Sequence, residues 1–182
     1  MLYESKTFTL KDGRAAVLRN PEPERDAAAM IEHLKQIAGE TEFLLRYPEE
    51  CRWTEEQERS VLADINASDM RLMLVCEVDG EIAGMGGLNF NGQIKFSHKA
   101  NLDIGIRSKF WNQGIGSAMF ESMIEVARRK GVVQLELDYI EGNARGRALY
   151  EKMGFQEVAR HPDAVRLKDG SMRELVFMMK KL

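Results

Sequence analysis

Residues 107–118, RSKFWNQGIGSA, put Gly114 and Gly116 where an alternating run gives way to a helical one. Glycine lets a backbone approach a ligand closely and takes positive φ without steric cost. The first N–H groups of a helix lack partners within it, and the helix dipole adds partial positive charge there. Such a turn can hold a pyrophosphate with backbone alone. By itself it is equally well a tight strand-to-helix turn. The letters exclude two nucleotide motifs. No G-x-x-x-x-G-K-S/T string occurs, so there is no P-loop. A dinucleotide fingerprint needs a third glycine or alanine three residues after Gly116, where Met119 stands.

Other reactive residue types are sparse. Cys51 and Cys76 share no C-x-x-C spacing and have no paired histidine, which speaks against a zinc site or a disulfide framework. Cys76 lies in an apolar run and is expected to be buried; Cys51, just ahead of a helix, is expected to be exposed. A reducing cytoplasm is the default compartment. The chain has 26 basic and 29 acidic residues, a balance without the footprint of a nucleic-acid binder. No apolar run approaches the ~20 residues of a membrane span. The first ten residues carry charges and lack a signal peptide's apolar core. The length of 182 residues suits one domain over 1–182.

The elements that must hold the glycine turn follow from periodicity. Residues 8–19 read as two extended pieces around Asp12-Gly13, a hairpin signal. Residues 23–38 are helical, with Ala27, Met30, Ile31, Leu34 and Ile37 on one stripe and Gly39 as the stop. A second helix starts near Thr54, which has capping-box spacing to Gln57. Between them, Phe43, Leu44, Leu45 and Tyr47 either close the core or wall a pocket. From Arg71 the period becomes two, with Leu72, Leu74, Cys76 and Val78 on one face. Asp79-Gly80 and Asn91-Gly92 each suit a type I′ turn, so residues 71–106 read as an antiparallel meander. A helix over 114–130 ends on three basic residues and Gly131. Val133, Leu135, Leu137 and Tyr139 mark the next strand, a short helix spans 143–152, and two closing strands flank Asp169-Gly170. The strand–helix–strand unit around Gly114 requires a right-handed parallel crossover. The fold is therefore α/β with a mixed, mostly antiparallel sheet.

A second segment, NARGRALYEKMGF at 143–155, follows the glycine turn after one strand. In this order the two segments resemble the GNAT superfamily of N-acetyltransferases. Its first signature, Gln/Arg-x-x-Gly-x-Gly/Ala at the start of the cofactor helix, is matched by Gly114 and Gly116. Its second, Asn-x-x-Ala/Ser-x-x-Leu-Tyr-x-x-x-Gly-Phe, is matched by Asn143, Leu149, Tyr150, Gly154 and Phe155. Trp111 departs from the pattern, standing where the family carries Gln or Arg. The resemblance runs from residue 77 to the C-terminus. It is closest to small bacterial acetyltransferases with the strand H-x-A-x-L-x-I-x-V, here residues 98–106; TEFLLRYPEE at 41–50 is similar to the same subgroup.

The resemblance implies a central sheet flanked by helices, with two strands splayed at the cofactor site. It implies acetyl-CoA as co-substrate and no metal. The backbone of Ile104, Gly105 and Ile106 would pair with the pantetheine arm. The N–H groups of Gln113, Gly114, Ile115, Gly116 and Ser117 would hold the pyrophosphate. Asn143 would hydrogen-bond the pantetheine, Arg147 and Lys152 would reach phosphate, and Tyr150 would face the thioester sulfur. An amine would attack directly once a carboxylate had taken its proton. Many relatives carry that carboxylate where Asn101 stands, and an amide is no base. Asp103, two residues on and on the same strand face, becomes the candidate. Asp138 and Glu77 are further strand carboxylates, and all three read equally well as surface acids. His98 reads as structural. Tyr150 reads as a hydrogen-bond donor more than a full acid, because a phenol's pKa of ~10 lies above the ~8.5 of a thiol.

The expected activity is acetyl transfer from acetyl-CoA to a primary amine, on a small molecule, a protein N-terminus or a lysine. The alternative is a non-catalytic acyl-CoA-binding or regulatory module. Asn101 speaks for that alternative and Tyr150 against it. The acceptor pocket falls to the N-terminal half, which carries no motif. Homodimers are common in the family, but no segment here signals one.

Overall fold

The computed structural model describes all of residues 1–182. The strands are β1 (Lys6–Thr9), β2 (Ala15–Arg19), β3 (Arg71–Val78), β4 (Glu81–Phe90), β5 (Lys99–Ile106), β6 (Gln134–Ile140), β7 (Gln156–Arg166) and β8 (Met172–Lys181). They form one sheet in the order β1-β2-β3-β4-β5-β6-β8-β7. Every neighbouring pair is antiparallel except β5 and β6, the pair joined through a helix. The helices are α1 (Pro23–Glu40), α2 (Glu55–Ala67), α3 (Ile115–Arg129) and α4 (Ala144–Lys152).

Alternation along β3 explains the two layers. Leu72, Leu74, Cys76 and Val78 are buried in one large cluster with Ile115, Met119, Phe120 and Met123 of α3. Val75 points the other way and packs with Ala27 and Met30 of α1 and Leu62 of α2. The sheet is thus covered by α3 and α4 on one face and by α1 and α2 on the other. Burying one such aliphatic or aromatic side chain contributes roughly 1.5–3 kcal/mol. The Thr54 hydroxyl accepts the Gln57 N–H at 3.2 Å and the Gln57 side chain accepts the Thr54 N–H at 2.9 Å, so the expected capping box starts α2. No helix is long and apolar enough to cross a membrane.

Four local expectations fail for physical reasons. Gly39 does not stop α1, which runs to Glu40 because the Glu40 carboxylate accepts the Ser108 N–H and pairs with Arg107 at 3.0 Å. Asn91-Gly92 does not close a tight hairpin. It opens a longer connection with a helical turn at Ile94–Phe96, whereas Asp79 and Gly80, at φ 51° and 79°, do make the sharp turn. Val133 lies outside β6 and is exposed. Cys51 is buried, because the turn Pro48–Glu50 folds it inward and sets its Sγ 3.7 Å from the Tyr47 carbonyl.

Candidate active site

The site begins where the sheet comes apart. β5 pairs with β6 only over Lys99–Asn101, opposite Gln134–Glu136. Beyond that, β5 keeps β4 as its neighbour and β6 keeps β8, so a slot opens between them. Arg107 donates its N–H to the Ala83 carbonyl of β4 at 3.0 Å. Strand residues alternate the side on which their N–H and C=O emerge. Ile104 and Ile106 therefore turn their backbone groups to the slot, and Gly105 turns its own to β4. What Gly105 adds is its missing side chain, since a Cβ there would lie 2.7 Å from Ile37 of α1. The Ile106 carbonyl already accepts the indole N–H of Trp111 at 2.8 Å. The residue that departs from the family signature is thus a brace between loop and strand, with the Arg145 guanidinium stacked 4.2 Å over its ring.

At the end of β5 the chain passes the Trp111 loop and enters α3. Gly114 is the N-cap, at φ 96°, a left-handed conformation that other residues adopt only with strain. A Cβ at Gly114 would meet nothing within 4 Å, so the space over the helix start is open. Gly116 serves a different purpose from the one read in the sequence. It lies inside the helix, and a Cβ there would sit 2.7 Å from Leu149 of α4, so its smallness lets α3 and α4 touch. Gln113 is held by the β1–β2 hairpin, with its Oε1 accepting the Asp12 N–H at 3.1 Å. Lys152 donates to the Ser117 hydroxyl at 2.9 Å, placing an ammonium beside the first turn of α3. Asn143 caps α4, its Oδ1 accepting the Gly146 N–H at 2.9 Å, which leaves its Nδ2 without a protein partner. Arg147 stands apart from this group, paired with Glu151 at 2.8 Å and turned toward a cleft beside Tyr139.

Tyr150 comes from α4, buried in an aromatic cluster with ring centroids 5.7 Å from both Phe120 and Tyr139. Burial, then the charges of Asp103 and Asp138, push its phenol up to about 12. The hydroxyl therefore stays protonated near neutrality and is available as a hydrogen-bond donor. The two carboxylates lie on the opposite face of the sheet. Asp103 lies over Gly87 of β4 on the α1 side, where a Cβ would meet its Oδ2 at 2.9 Å. Asp138 alternates with the inward-facing Leu137 and Tyr139 of β6. The charges of both carboxylates nonetheless reach the Tyr150 phenol from across the sheet. Asp103 keeps solvent access but is recessed among protein atoms. That burial raises its carboxyl, against a smaller opposing effect of the Gly87 backbone. Burial raises Asp138 as well. Asn101, at the last pair before the slot, is exposed. His98 precedes β5, its carbonyl accepting the Val133 N–H at 2.9 Å.

Next to Tyr139 lies a cleft of about 530 Å³. The α1–α2 connection supplies Glu42 and Phe43, the β6–α4 turn Glu141, and the β7–β8 hairpin Arg160 and Arg173. Of the four apolar residues at 43–47, Phe43 walls this cleft while Leu45 is exposed. Tyr47 is tied to the last hairpin, its hydroxyl accepting the Lys168 N–H at 3.0 Å. No group of three or more His, Cys, Asp or Glu is placed to hold a metal.

The family model described as Acetyltransferase (GNAT) family matches residues 28–155. The chain belongs to that family. An acetyltransferase of the GNAT family from Streptococcus pneumoniae superposes with a TM-score of 0.85 at 27% identity, over 92% of this chain and 99% of that one. A putative acetyltransferase from Salmonella typhimurium, solved with its cofactor acetyl-CoA, has the same fold at TM-score 0.77 and 20% identity, over 92% and 94% of the two chains. The L-amino acid N-acetyltransferase of Escherichia coli is 28% identical over 131 residues, 69% of this chain and 76% of that protein. The mycothiol acetyltransferase of Beutenbergia cavernae is 44% identical over 59 residues, 32% of this chain but only 20% of its own. The ribosomal protein bS18-alanine N-acetyltransferase of Escherichia coli is 32% identical over 65 residues, 36% of this chain and 44% of that protein. These last two matches span less than half the length of the relatives concerned.

The fold class expected from the sequence is the one observed, splayed strands included. The residues that line the cleft from β7 and β8 were not found from sequence. They lie in a hairpin without a motif, and only the sheet order brings them to α4.

Proposed function

We propose that residues 1–182 act as one acetyl-CoA-dependent N-acetyltransferase domain that modifies a primary amine. The observation that carries this reading is the slot between β5 and β6, with the open start of α3 at one end and Tyr150 buried in the cluster that α3 and α4 share against the sheet. Acetyl-CoA supplies an activated thioester, whose C–S bond breaks as the N–C bond of the amide forms. The slot-facing groups of Ile104 and the free Nδ2 of Asn143 suit the amides of the pantetheine arm. The N–H groups from Gln113 to Ser117, with the Lys152 ammonium, suit the pyrophosphate. Two protons leave the acceptor's ammonium, one before attack and one as the amide forms. Asp103 takes the first: its raised carboxyl is a better base near neutrality than an ordinary aspartate. Tyr150 donates a hydrogen bond to the sulfur as charge grows there. Full transfer from a phenol at about 12 to a thiolate is steeply uphill, so the sulfur draws its final proton from the second one released.

The test is turnover of a panel of amines with acetyl-CoA, followed as free CoA thiol. Thiol release that depends on an amine, with matching acetylated product, supports the reading. Acetyl-CoA binding without turnover of any amine supports a non-catalytic acyl-CoA-binding module instead.

A further inference from the structure

The charges around the 530 Å³ cleft are mostly spoken for. Arg160 lies against three carboxylates, Glu157 at 2.6 Å, Glu174 at 2.9 Å and Glu141 at 3.0 Å. Arg147 is paired with Glu151. Two charges remain. Arg173 is partly buried, has no carboxylate within 4 Å, and makes a single long contact of 3.4 Å to the Met172 carbonyl. Glu42, an exposed residue of the α1–α2 connection that also lines the cleft, has no ion-pair or hydrogen-bond partner. A guanidinium that loses water on one side gains most from a planar oxyanion that can accept two of its N–H groups.

We infer that the acceptor is a free amino acid or a close analogue, a small molecule carrying a carboxylate beside its amine, with the carboxylate held by Arg173. This rests on the transferase reading above and names the substrate class of that same site. An amino acid reaches the cleft as a zwitterion. It brings one charge of each sign to the two unpaired groups, its carboxylate to Arg173 and its ammonium toward Glu42. A cleft of this volume has the size of a small-molecule pocket. Phe43 and Tyr139 give it an apolar wall, and the Tyr139 ring is 5.7 Å from that of Tyr150. A protein N-terminus offers an amine but no carboxylate near it, so it would leave Arg173 unmatched. In the reaction the amino group forms the N–C bond, CoA leaves with one proton, a second proton passes to solvent, and the carboxylate is unchanged.

The experiment compares each of the proteinogenic L-amino acids with its own α-carboxamide and with an alanine-initiated hexapeptide, using acetyl-CoA and thiol release. The best free amino acid should exceed its carboxamide in kcat/KM by about 10- to 100-fold, the worth of one charge-assisted hydrogen-bond pair. Arg173→Ala should raise KM for the acid and bring the acid-to-amide ratio near one, with the KM for acetyl-CoA unchanged. Arg173→Lys should restore part of the preference. Carboxamides or the hexapeptide turned over as well as free acids would overturn the inference while leaving the transferase reading intact. A preference for free acids that survives Arg173→Ala would overturn it too. If no amine of any kind releases thiol, the transferase reading itself falls and takes the inference with it.

Discussion

The two ends of the opening in the sheet are built by different means. At the α3 end the groups proposed to hold the cofactor are backbone N–H donors, set by a left-handed glycine, a Trp111 brace and a helix start with open space above it. At the cleft end they are side chains from several separate elements, most of the charged ones paired with an opposite charge. Backbone donors hold any ligand that presents oxygens in the right place, and they tolerate change in the side chains around them. A side-chain cleft reads the particular charges of its ligand, and one substitution can rewrite it. The proposed reaction falls between the two ends, at Tyr150 and the carboxylates whose charges reach it.

The largest effect expected from a single change lies at that meeting point. Tyr150→Phe removes a hydroxyl that, in the proposed mechanism, matters only as charge develops on sulfur. It should lower kcat by about 10- to 1,000-fold with little change in acetyl-CoA affinity. Single-turnover measurements separate chemistry from product release, and a variant with the wild-type single-turnover rate would remove Tyr150 from the mechanism. Gly116→Val tests the α3 end. Its branched side chain would press on Leu149, already 2.7 Å from the first added carbon, and overpacking of this kind costs about 1–3 kcal/mol. Thermal unfolding should shift down and acetyl-CoA affinity should fall with it, because α3 and α4 both carry the proposed cofactor contacts. Unchanged stability with lost affinity would mean that Gly116 meets the ligand directly instead of packing the helices.

A smaller effect with a distinctive sign is expected at Asp103. Burial raises its carboxyl in the folded protein, so ionised Asp103 costs the fold free energy at neutral pH. The contribution is favourable at low pH, where the group is protonated, and is lost as pH rises through its folded value. Asp103→Asn should therefore raise the melting temperature at pH 7. That gain should vanish below the ~3.9 of an unfolded aspartate. Activity should move the other way, lower at neutral pH and recovering as the acceptor amine deprotonates by itself. A rate unchanged at every pH would make Asp103 an ordinary acid and turn attention to Asp138, which burial raises too.

The same contrast governs what the sequence could tell. The α3 end was legible because the cofactor binding proposed for it forces residue types at fixed spacing, a glycine pair at the helix start and, seven apart, Asn143 capping the next helix and Tyr150 on it. Gly116 was legible as a necessary glycine but not for its reason, since only packing reveals Leu149 against it. The strand meander was legible from period-two alternation. The boundaries that failed, at Gly39 and Asn91-Gly92, were decided by the Glu40–Arg107 latch and by a longer connection that local turn chemistry does not report. Arg173 was illegible because a lone arginine in a closing hairpin is chemically ordinary until the sheet order sets it beside Tyr139 and Phe43.

Calorimetric titration of the whole chain with acetyl-CoA, and separately with ATP, tests the central claim most directly. The slot, the glycine turn and the Lys152 ammonium should give saturable binding of acetyl-CoA in the micromolar range. ATP, which has phosphates but no pantetheine arm to enter the slot, should not compete for it. Clear heat from ATP with none from acetyl-CoA would contradict the assignment of the β5–β6 slot and of every role built on it.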